Sequence, residues 1–314
     1  MTEFAFVFPG QGSQAVGMLN AWGDNAVVRQ TLQEASDALG EDLAALIHDG
    51  PADALALTTN TQPVMLAAGV ACWRAWRAEG GALPLAMAGH SLGEYAALVA
   101  AGALTLADAV PLVRLRAAAM QEAVPVGQGA MAAILGLDAE RIRAVCADVT
   151  TALGGAEVVE AVNFNTPVQT VIAGSSQAVA QACTELKAAG AKRALVLPVS
   201  APFHSRLMQP AAERLRQALA DVPVAAPQVP VVNNVDVAAE QDADRIRDAL
   251  YRQAFGAVRW VETVQRFKAM GATAVVECGP GKVLAGMTPR IDRGLASGEI
   301  YDPQTLRRVQ EMLA

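Results

Sequence analysis

The first apolar segments of the chain are bounded by glycine and proline. Residues 4–8 form a short apolar run followed by Pro9-Gly10-Gln11-Gly12, which predicts a buried strand ending in a tight loop. A second apolar run, residues 83–88, ends at Gly89 and is followed by a helix-forming segment that starts at Glu94. Between the two predicted strands, helical spacing of apolar positions predicts three helices, over 26–39, 42–48 and 62–79.

The pattern changes in the middle of the chain, where short strands alternate with two helices. The predicted strands cover 131–135, 158–163, 169–173 and 193–199. The predicted helices cover 138–149 and 177–189. The resulting order, β-α-β-β-α-β, is the split βαβ arrangement of a ferredoxin-like domain.

The pattern of the first part resumes after this segment. It predicts helices over 206–219, 241–254 and 260–270, and strands over 229–233 and 272–277. The fold class is therefore α/β. We predict a discontinuous main domain, 1–126 and 199–314, that carries a small ferredoxin-like domain inserted at 127–198.

Composition supports this class and excludes several functions. The 314 residues are 53% hydrophobic with only 4% aromatic, which suits Ala-rich helices packed on a parallel sheet. A net charge of −7 argues against a nucleic-acid-binding protein, which needs basic residues against phosphates. No apolar run is long enough to span a membrane, and no signal-peptide pattern precedes the first strand.

The four cysteines, Cys72, Cys146, Cys183 and Cys278, lack metal-binding spacing. In a chain of this length they are expected to be buried, unpaired residues of a protein in the reducing cytoplasm.

Gly89-His90-Ser91-Leu92-Gly93 matches G-x-S-x-G between a predicted strand and a predicted helix. In this context the motif forms a nucleophile elbow, a sharp turn that exposes the serine hydroxyl at a helix start. Glycine is needed at both flanks because the neighbouring backbone leaves no room for a Cβ atom. The alternative is a glycine-rich packing turn with an ordinary N-cap serine.

A serine nucleophile needs a general base, and the chain has three histidines. His48 stands at the predicted end of a helix, where a histidine commonly caps carbonyl groups. The ring of His90, adjacent to the serine, is expected to point away from the hydroxyl. His204 stands where the chain re-enters the main domain, which makes it the candidate base, although a satisfied core histidine is the alternative.

No aspartate between Ser91 and His204 stands in a strand-end setting that completes a Ser-Asp-His order. A backbone carbonyl is therefore a candidate for the group that orients the imidazole. Such a carbonyl fixes the tautomer but stabilises the imidazolium less than a carboxylate does.

Taken together, the motifs resemble the malonyl-CoA:acyl carrier protein transacylase family of bacterial fatty acid synthesis. The resemblance covers nearly the whole chain, in order and at the family's spacing. It rests on Phe8-Pro9-Gly10-Gln11-Gly12-Ser13-Gln14, Gly89-His90-Ser91-Leu92-Gly93-Glu94-Tyr95, Arg116, Asn163-Phe164-Asn165-Thr166-Pro167, Pro202-Phe203-His204-Ser205 and Gly279-Pro280-Gly281-Lys282. It implies a hydrolase-like main domain with a short parallel sheet and the inserted ferredoxin-like domain.

The resemblance also implies roles for individual residues. Ser91 is the nucleophile and His204 the base, and the backbone N–H groups of Gln11 and Leu92 form the oxyanion hole. Arg116 binds the malonyl carboxylate, for which a planar guanidinium is well suited. A solvent-facing helix arginine is the alternative for Arg116 and the preferred interpretation of Arg114.

Further positions are implied with less definite roles. The main-chain carbonyl of Gln253 orients the histidine, although Ala257 stands nearby where the family often has proline. Gln62 and the pair Asn163 and Asn165 line the cleft, or are satisfied turn residues. In the polyketide relatives, a phenylalanine at the position of Phe203 accompanies malonyl preference.

These roles imply malonyl transfer from malonyl-CoA to an acyl carrier protein, with no metal or redox cofactor. A serine thioesterase or hydrolase is the first alternative, because the elbow and base alone serve either reaction. A non-catalytic docking protein of the same fold is the second. A malonate decarboxylase subunit and a polyketide malonyltransferase also remain open.

Overall fold

The computed structural model describes residues 2–199 and 201–314, and the elements named here lie within those ranges. The strands are β1 (Phe4–Phe8), β2 (Ala86–Gly89), β3 (Gly129–Leu135), β4 (Val159–Thr166), β5 (Gln169–Ser175), β6 (Arg193–Val196), β7 (Ala274–Cys278) and β8 (Ala296–Ile300). The helices are α1 (Ala26–Leu39), α2 (Leu43–Asp49), α3 (Ala52–Ala56), α4 (Thr58–Ala78), α5 (Gly93–Ala100), α6 (Leu106–Glu122), α7 (Ala139–Ala152), α8 (Ser176–Ala188), α9 (Gln209–Asp221), α10 (Ala243–Gln253), α11 (Trp260–Ala269), α12 (Val283–Ile291) and α13 (Pro303–Leu313). Two short 3-10 helices cover Asn20–Trp22 and Arg206–Met208.

A four-stranded parallel sheet in the order β2-β1-β7-β8 forms the centre of the larger part of the molecule. All five residues of β1 are buried, because helices cover both faces of the sheet and no solvated face requires alternation. Phe8 pairs with Gly89 at the ends of β1 and β2. The loops that follow these two strands therefore start side by side, at the carboxyl edge of the sheet.

The second sheet is antiparallel and has the order β4-β5-β3-β6. Along the chain its elements run β3, α7, β4, β5, α8, β6, in the order that the sequence predicts. One cluster of buried residues, with members from Ala132 to Leu186, lies between this sheet and its two helices. The other face of the sheet packs around Met131 and Val171 and faces the larger part of the molecule through Phe203.

The structure corrects several predicted boundaries. Helix α4 starts at Thr58 instead of residue 62, and the Thr61 hydroxyl donates to the carbonyl groups of Leu55 and Leu57 just before it. Strand β2 starts only at Ala86, because the chain at Leu83 is still exposed. The strand predicted over 193–199 ends at Val196.

Two larger corrections concern the last third of the chain. The strand predicted over 229–233 is wrong: Val231 and Val232 form only isolated bridges, to Met87 and Ala239. The apolar pattern predicts no element after residue 281, where the structure has α12, β8 and α13. Strand β8 lies at the edge of the parallel sheet and is half exposed, so it has no continuous apolar run to detect.

The four cysteines are buried and unpaired, as predicted. Among the residues that the structure describes, none belongs to a helix with the length and apolar character needed to cross a bilayer.

Candidate active site

Ser91 lies in the turn between β2 and α5, with a φ of 54°. A Cβ atom on Gly89 would lie 1.8 Å from the carbonyl carbon of Gly93, and one on Gly93 would lie 2.1 Å from the carbonyl oxygen of Phe8. Both flanking positions therefore require glycine, for the steric reason that the motif suggests. The turn places the serine hydroxyl at the start of α5.

His204 is the histidine next to this hydroxyl. Its Nε2 lies 2.6 Å from the Ser91 Oγ, and its Nδ1 lies 2.9 Å from the main-chain carbonyl oxygen of Gln253. A carbonyl oxygen only accepts hydrogen bonds, so Nδ1 carries the proton and Nε2 is free to accept one from the serine. The two residues are 113 positions apart in the sequence.

Burial and charge keep this imidazole neutral. His204 is 4% exposed, and its pKa is lowered to about 3, first by burial and then by the positive charge of Arg116. A neutral imidazole accepts a proton at ordinary pH, whereas a protonated one cannot. The arrangement therefore provides a base that is ready to act before any substrate binds.

Arg116 projects from α6 into the same site and is 2% exposed. One of its terminal nitrogens donates to Ser91 Oγ at 3.2 Å and to Gln253 Oε1 at 3.0 Å; the other donates to Gln62 Oε1 at 2.8 Å. Its guanidinium also lies 5.5 Å from the ring centroid of Tyr95. By contrast, Arg114 is half-buried and forms a salt bridge with Glu41.

The partners of Arg116 are all uncharged groups. No Asp or Glu among residues 2–199 and 201–314 forms a salt bridge with it, and its Nε has no hydrogen-bond partner there. Taking a cation out of water costs several kcal/mol unless an anion compensates it. The site is therefore electrostatically incomplete, and a small carboxylate would complete it.

Two backbone N–H groups lie in the loops that follow β1 and β2. Gln11 follows β1 and Leu92 follows the elbow, and both residues line the same cavity as Ser91. In the described part of the chain neither N–H group has a hydrogen-bond partner. The Ser91 N–H, by contrast, is occupied by Asn234 Oδ1 at 2.7 Å. Gln11 and Leu92 thus present two free donors near the hydroxyl, as an oxyanion hole needs.

The sequence analysis missed two buried residues that hold the elbow. The Asn234 side chain accepts from Ser91 N and donates to the Gly89 carbonyl at 2.7 Å, so it spans both sides of the nucleophile. Glu94 Oε2 accepts from Asn234 N at 2.9 Å and from Gln253 Nε2 at 3.0 Å. Glu94 directly follows the elbow motif, so its position was a usable signal, whereas nothing in the sequence near Asn234 marks that residue.

Of the remaining candidates, His90, Asn163 and Asn165 line the same cavity, and His48 does not. His90 Nε2 lies 2.9 Å from Asn165 Oδ1, so that ring is engaged away from the hydroxyl. Asn163 lines the cavity, and its buried Oδ1 has no partner in the part of the chain that is described. His48 lies in the last turn of α2 and contacts Asn20 at the surface.

These groups surround a cavity of about 230 Å³. Part of its wall is apolar and includes Met131, Val171, Leu197, Val199 and Phe203. Within the described ranges, no three His, Cys, Asp or Glu side chains are grouped so as to hold a metal ion. The expectation that the chemistry needs no metal or redox cofactor stays a prediction.

Comparisons with known proteins agree with this geometry. Residues 5–297 match the acyl transferase domain family. The chain is 54% identical to a malonyl CoA-acyl carrier protein transacylase of Salmonella typhimurium, over 98% of both chains. It is 43% identical to a protein of the same name from Bacillus subtilis, over 98% of this chain and 96% of that one.

Solved structures are similar as well. An acyl-carrier-protein S-malonyltransferase from Burkholderia pseudomallei matches with a TM-score of 0.96 and 62% identity, over 99% of this chain and all of the other. A malonyl-transacylase in complex with its type II PKS acyl-carrier protein matches with a TM-score of 0.96 and 51% identity, over 99% and 100% of the two chains.

Proposed function

The chain belongs to the acyl transferase domain family, and from this membership we propose that it transfers a malonyl group from malonyl-CoA to the thiol of an acyl carrier protein, in support of fatty acid synthesis. Two relatives named malonyl CoA-acyl carrier protein transacylase, from Salmonella typhimurium and Escherichia coli, are 54% and 52% identical to it over nearly the whole chain. The similar structure that contains an acyl-carrier protein supports the choice of acceptor.

One observation carries the choice of acyl group. Arg116 is a buried cation without an acidic partner in the described structure, and its guanidinium lies 3.2 Å from the Ser91 hydroxyl. An acyl chain attached to this oxygen and ending in a carboxylate two bonds from the carbonyl carbon, as malonyl does, would place its charge beside the guanidinium. A hydrolase acting on uncharged esters gains nothing from such an arginine.

The first half of the reaction forms a malonyl-enzyme. Ser91 Oγ attacks the thioester carbonyl while His204 Nε2 takes its proton, and the Gln11 and Leu92 N–H groups stabilise the oxyanion. The intermediate then collapses, the carbon–sulfur bond breaks, and the coenzyme A sulfur leaves with the proton from His204.

The second half reverses these steps with a different thiol. The phosphopantetheine thiol of the carrier protein gives its proton to His204 and attacks the malonyl-serine ester. Ser91 leaves as the alcohol after receiving the proton back.

Substrate binding also prepares the base. The positive charge of Arg116 disfavours protonation of His204. A malonyl carboxylate bound to the guanidinium offsets that charge, so the imidazolium that forms during serine attack is less strongly opposed. Correct substrate therefore raises the basicity of His204 when it is needed.

The finer description of the fold belongs to the same proposal. We infer a hydrolase-like main domain, 1–126 and 199–314, and an inserted ferredoxin-like domain, 127–198. The strand order β4-β5-β3-β6 and a buried cluster drawn from that segment alone support the inserted domain. Unpaired, buried cysteines support a cytoplasmic location.

Intact-protein mass spectrometry tests the function directly. Mixing the protein with malonyl-CoA should add one malonyl group, and peptide mapping should find it on Ser91. A holo acyl carrier protein should then remove the group and gain it. Ser91→Ala should show no adduct while keeping a native circular dichroism spectrum.

The outcomes separate the alternatives. An adduct that water removes as fast as the carrier protein does would show a hydrolase. No adduct on the unmodified protein at any malonyl-CoA concentration would contradict the proposed function.

A further inference from the structure

We propose that the side-chain amide of Gln253 is a specificity-determining positioning group that holds Arg116 in place for an acyl carboxylate. This role is separate from that of the Gln253 main-chain carbonyl, which contacts His204. The inference rests on the proposed function, because it concerns how the same site selects its acyl group.

The bonding of this amide matches its chemistry on both sides. Gln253 Oε1 accepts from Arg116 at 3.0 Å, while Nε2 donates to the Ser91 carbonyl at 2.9 Å and to Glu94 Oε2 at 3.0 Å. A guanidinium only donates, and a carbonyl or carboxylate oxygen only accepts. An amide is the uncharged side-chain group that offers one acceptor and two donors, so it satisfies all three neighbours at once.

Glu94 fixes which way the amide points. An amide can be turned by half a rotation with little change of shape, so its orientation follows from its partners. Here the two acceptors, Glu94 and the Ser91 carbonyl, lie on one side and hold the NH₂ group. The oxygen must therefore face Arg116.

The amide also separates Arg116 from a buried carboxyl group, Glu94, whose pKa is raised to about 7 by burial. Glu94 is 2% exposed, and hydrogen bonds connect it to Arg116 through the Gln253 amide, which lies between the two groups. Direct contact would give the guanidinium a permanent acidic partner. With a neutral amide between, Arg116 is positioned but remains available to an incoming carboxylate.

This arrangement ties the arginine to the nucleophile. The same NH₂ group that is held by Glu94 is bonded to the main chain of Ser91. Movement of the elbow relative to Arg116 would break a hydrogen bond on one side of the amide. Gln253 thus sets the distance between the reacting oxygen and the carboxylate site, which distinguishes malonyl from an uncharged acyl group.

Gln253→Met tests the proposal, since it removes the amide, keeps similar length and retains the main-chain carbonyl near His204. We expect kcat/KM for malonyl-CoA to fall roughly 10- to 100-fold relative to that for acetyl-CoA, the scale of one hydrogen bond to a charged group. In an Arg116→Ala background the same substitution should leave the malonyl-to-acetyl ratio unchanged, because the two residues act together.

A second variant exchanges the two groups without changing total charge or volume. Glu94→Gln with Gln253→Glu places a carboxylate directly on Arg116, where it competes with malonyl. We expect the KM for malonyl-CoA to rise at least about 10-fold while acetyl-CoA is affected less. In this double variant the Ser91 carbonyl loses the donor at position 253 and keeps only the main-chain N–H of residue 94. It is therefore an independent test, read from the malonyl-to-acetyl ratio once circular dichroism shows a native fold, should Gln253→Met not fold.

Equal loss of malonyl and acetyl transfer in these variants, or no loss of either, would overturn the inference and leave Gln253 as a group that only supports the elbow. Failure of the proposed function looks different. In that case the unmodified protein itself forms no malonyl-enzyme.

Discussion

The two sides of the cavity differ in how their atoms are held. The side that we call the polar floor consists of Ser91, Arg116 and His204, backed by the fully buried Gln253. Each of these four side chains is fixed by hydrogen bonds of 2.6 to 3.2 Å. Its geometry is therefore set by directional contacts, which fail abruptly when one partner is removed.

The part of the lining that we call the apolar wall consists of Met131, Val171, Leu197, Val199 and Phe203. These side chains pack through dispersion and burial, which depend on volume rather than direction. Most of them come from the segment of the second sheet, whereas the floor comes from the larger part of the molecule. We therefore expect the floor to carry the chemistry and to select the acyl group by charge, and the wall to select it by shape.

Loss of the base should give the largest effect, since it removes the floor's proton acceptor. His204→Ala should lower malonyl transfer by at least about 10²-fold, the usual scale for a positioned general base. Stopped-flow measurement of serine acylation checks this, with His48→Ala as a surface control that should retain full activity.

The same measurement tests the state of the imidazole. Because burial and Arg116 lower the pKa of His204 to about 3, the ring becomes protonated only when pH falls toward that value. The acylation rate should therefore show no His204-dependent drop near 6.5, the ordinary histidine value. A loss of activity there that tracks His204 would contradict a neutral, buried base.

The next effect should separate acyl groups rather than abolish reaction. In Arg116→Ala the malonyl carboxylate is buried without a partner, which typically costs several kcal/mol, while an acetyl group never used that contact. The ratio of acetyl to malonyl kcat/KM should rise. Removing the positive charge near His204 should also raise the pKa of that imidazole, which helps it to accept the serine proton with either donor.

Arg114→Ala is the matched control, because it removes an arginine from the same helix that pairs with Glu41 outside the floor. Its acetyl-to-malonyl ratio should equal that of the unmodified protein. Equal damage to both donors in Arg116→Ala would indicate a purely structural arginine.

The residues of the site that belong to a local motif could be predicted from the sequence. Ser91 was identifiable because the elbow is local: two glycines and a serine within five positions, between a strand and a helix. His204 and Arg116 followed from counting histidines and from family resemblance. In the structure, His204 Nε2 and the Arg116 guanidinium both lie within hydrogen-bonding distance of Ser91 Oγ.

The contacts that hold these residues could not be predicted in the same way. Asn234 reaches Ser91 across 143 positions, and no local pattern distinguishes an asparagine that clamps an elbow from one in a turn. The Gln253 main chain was assigned through resemblance, but its side-chain bonds depend on where α10 packs against the elbow. Such contacts are products of tertiary packing, which periodicity and propensity do not encode.

The fold shows the same limit. The strand β1 was predicted with its observed bounds because it is a continuous buried run. The three valines within 229–233 are also buried, yet this segment forms only isolated bridges, one to β2 and one to Ala239. Pairing depends on a partner edge, and a short apolar run by itself does not specify one.

The smallest effect should come from the wall, where a change of volume alters fit but not chemistry. Phe203 precedes the base, lines the cavity and packs with residues of the second sheet, so its ring occupies space beside the acyl group. Phe203→Ser should make room for an α-methyl branch and raise methylmalonyl transfer relative to malonyl, by no more than the ~1–3 kcal/mol that one methyl group supplies. Phe203→Leu keeps most of the bulk and should change the ratio less. Steady-state kcat/KM with malonyl-CoA and methylmalonyl-CoA measures both variants. If the ratio of methylmalonyl to malonyl kcat/KM stays at its unmodified value in Phe203→Ser and neither value falls, this part of the wall does not select the acyl group. If both values fall equally, Phe203 instead supports His204.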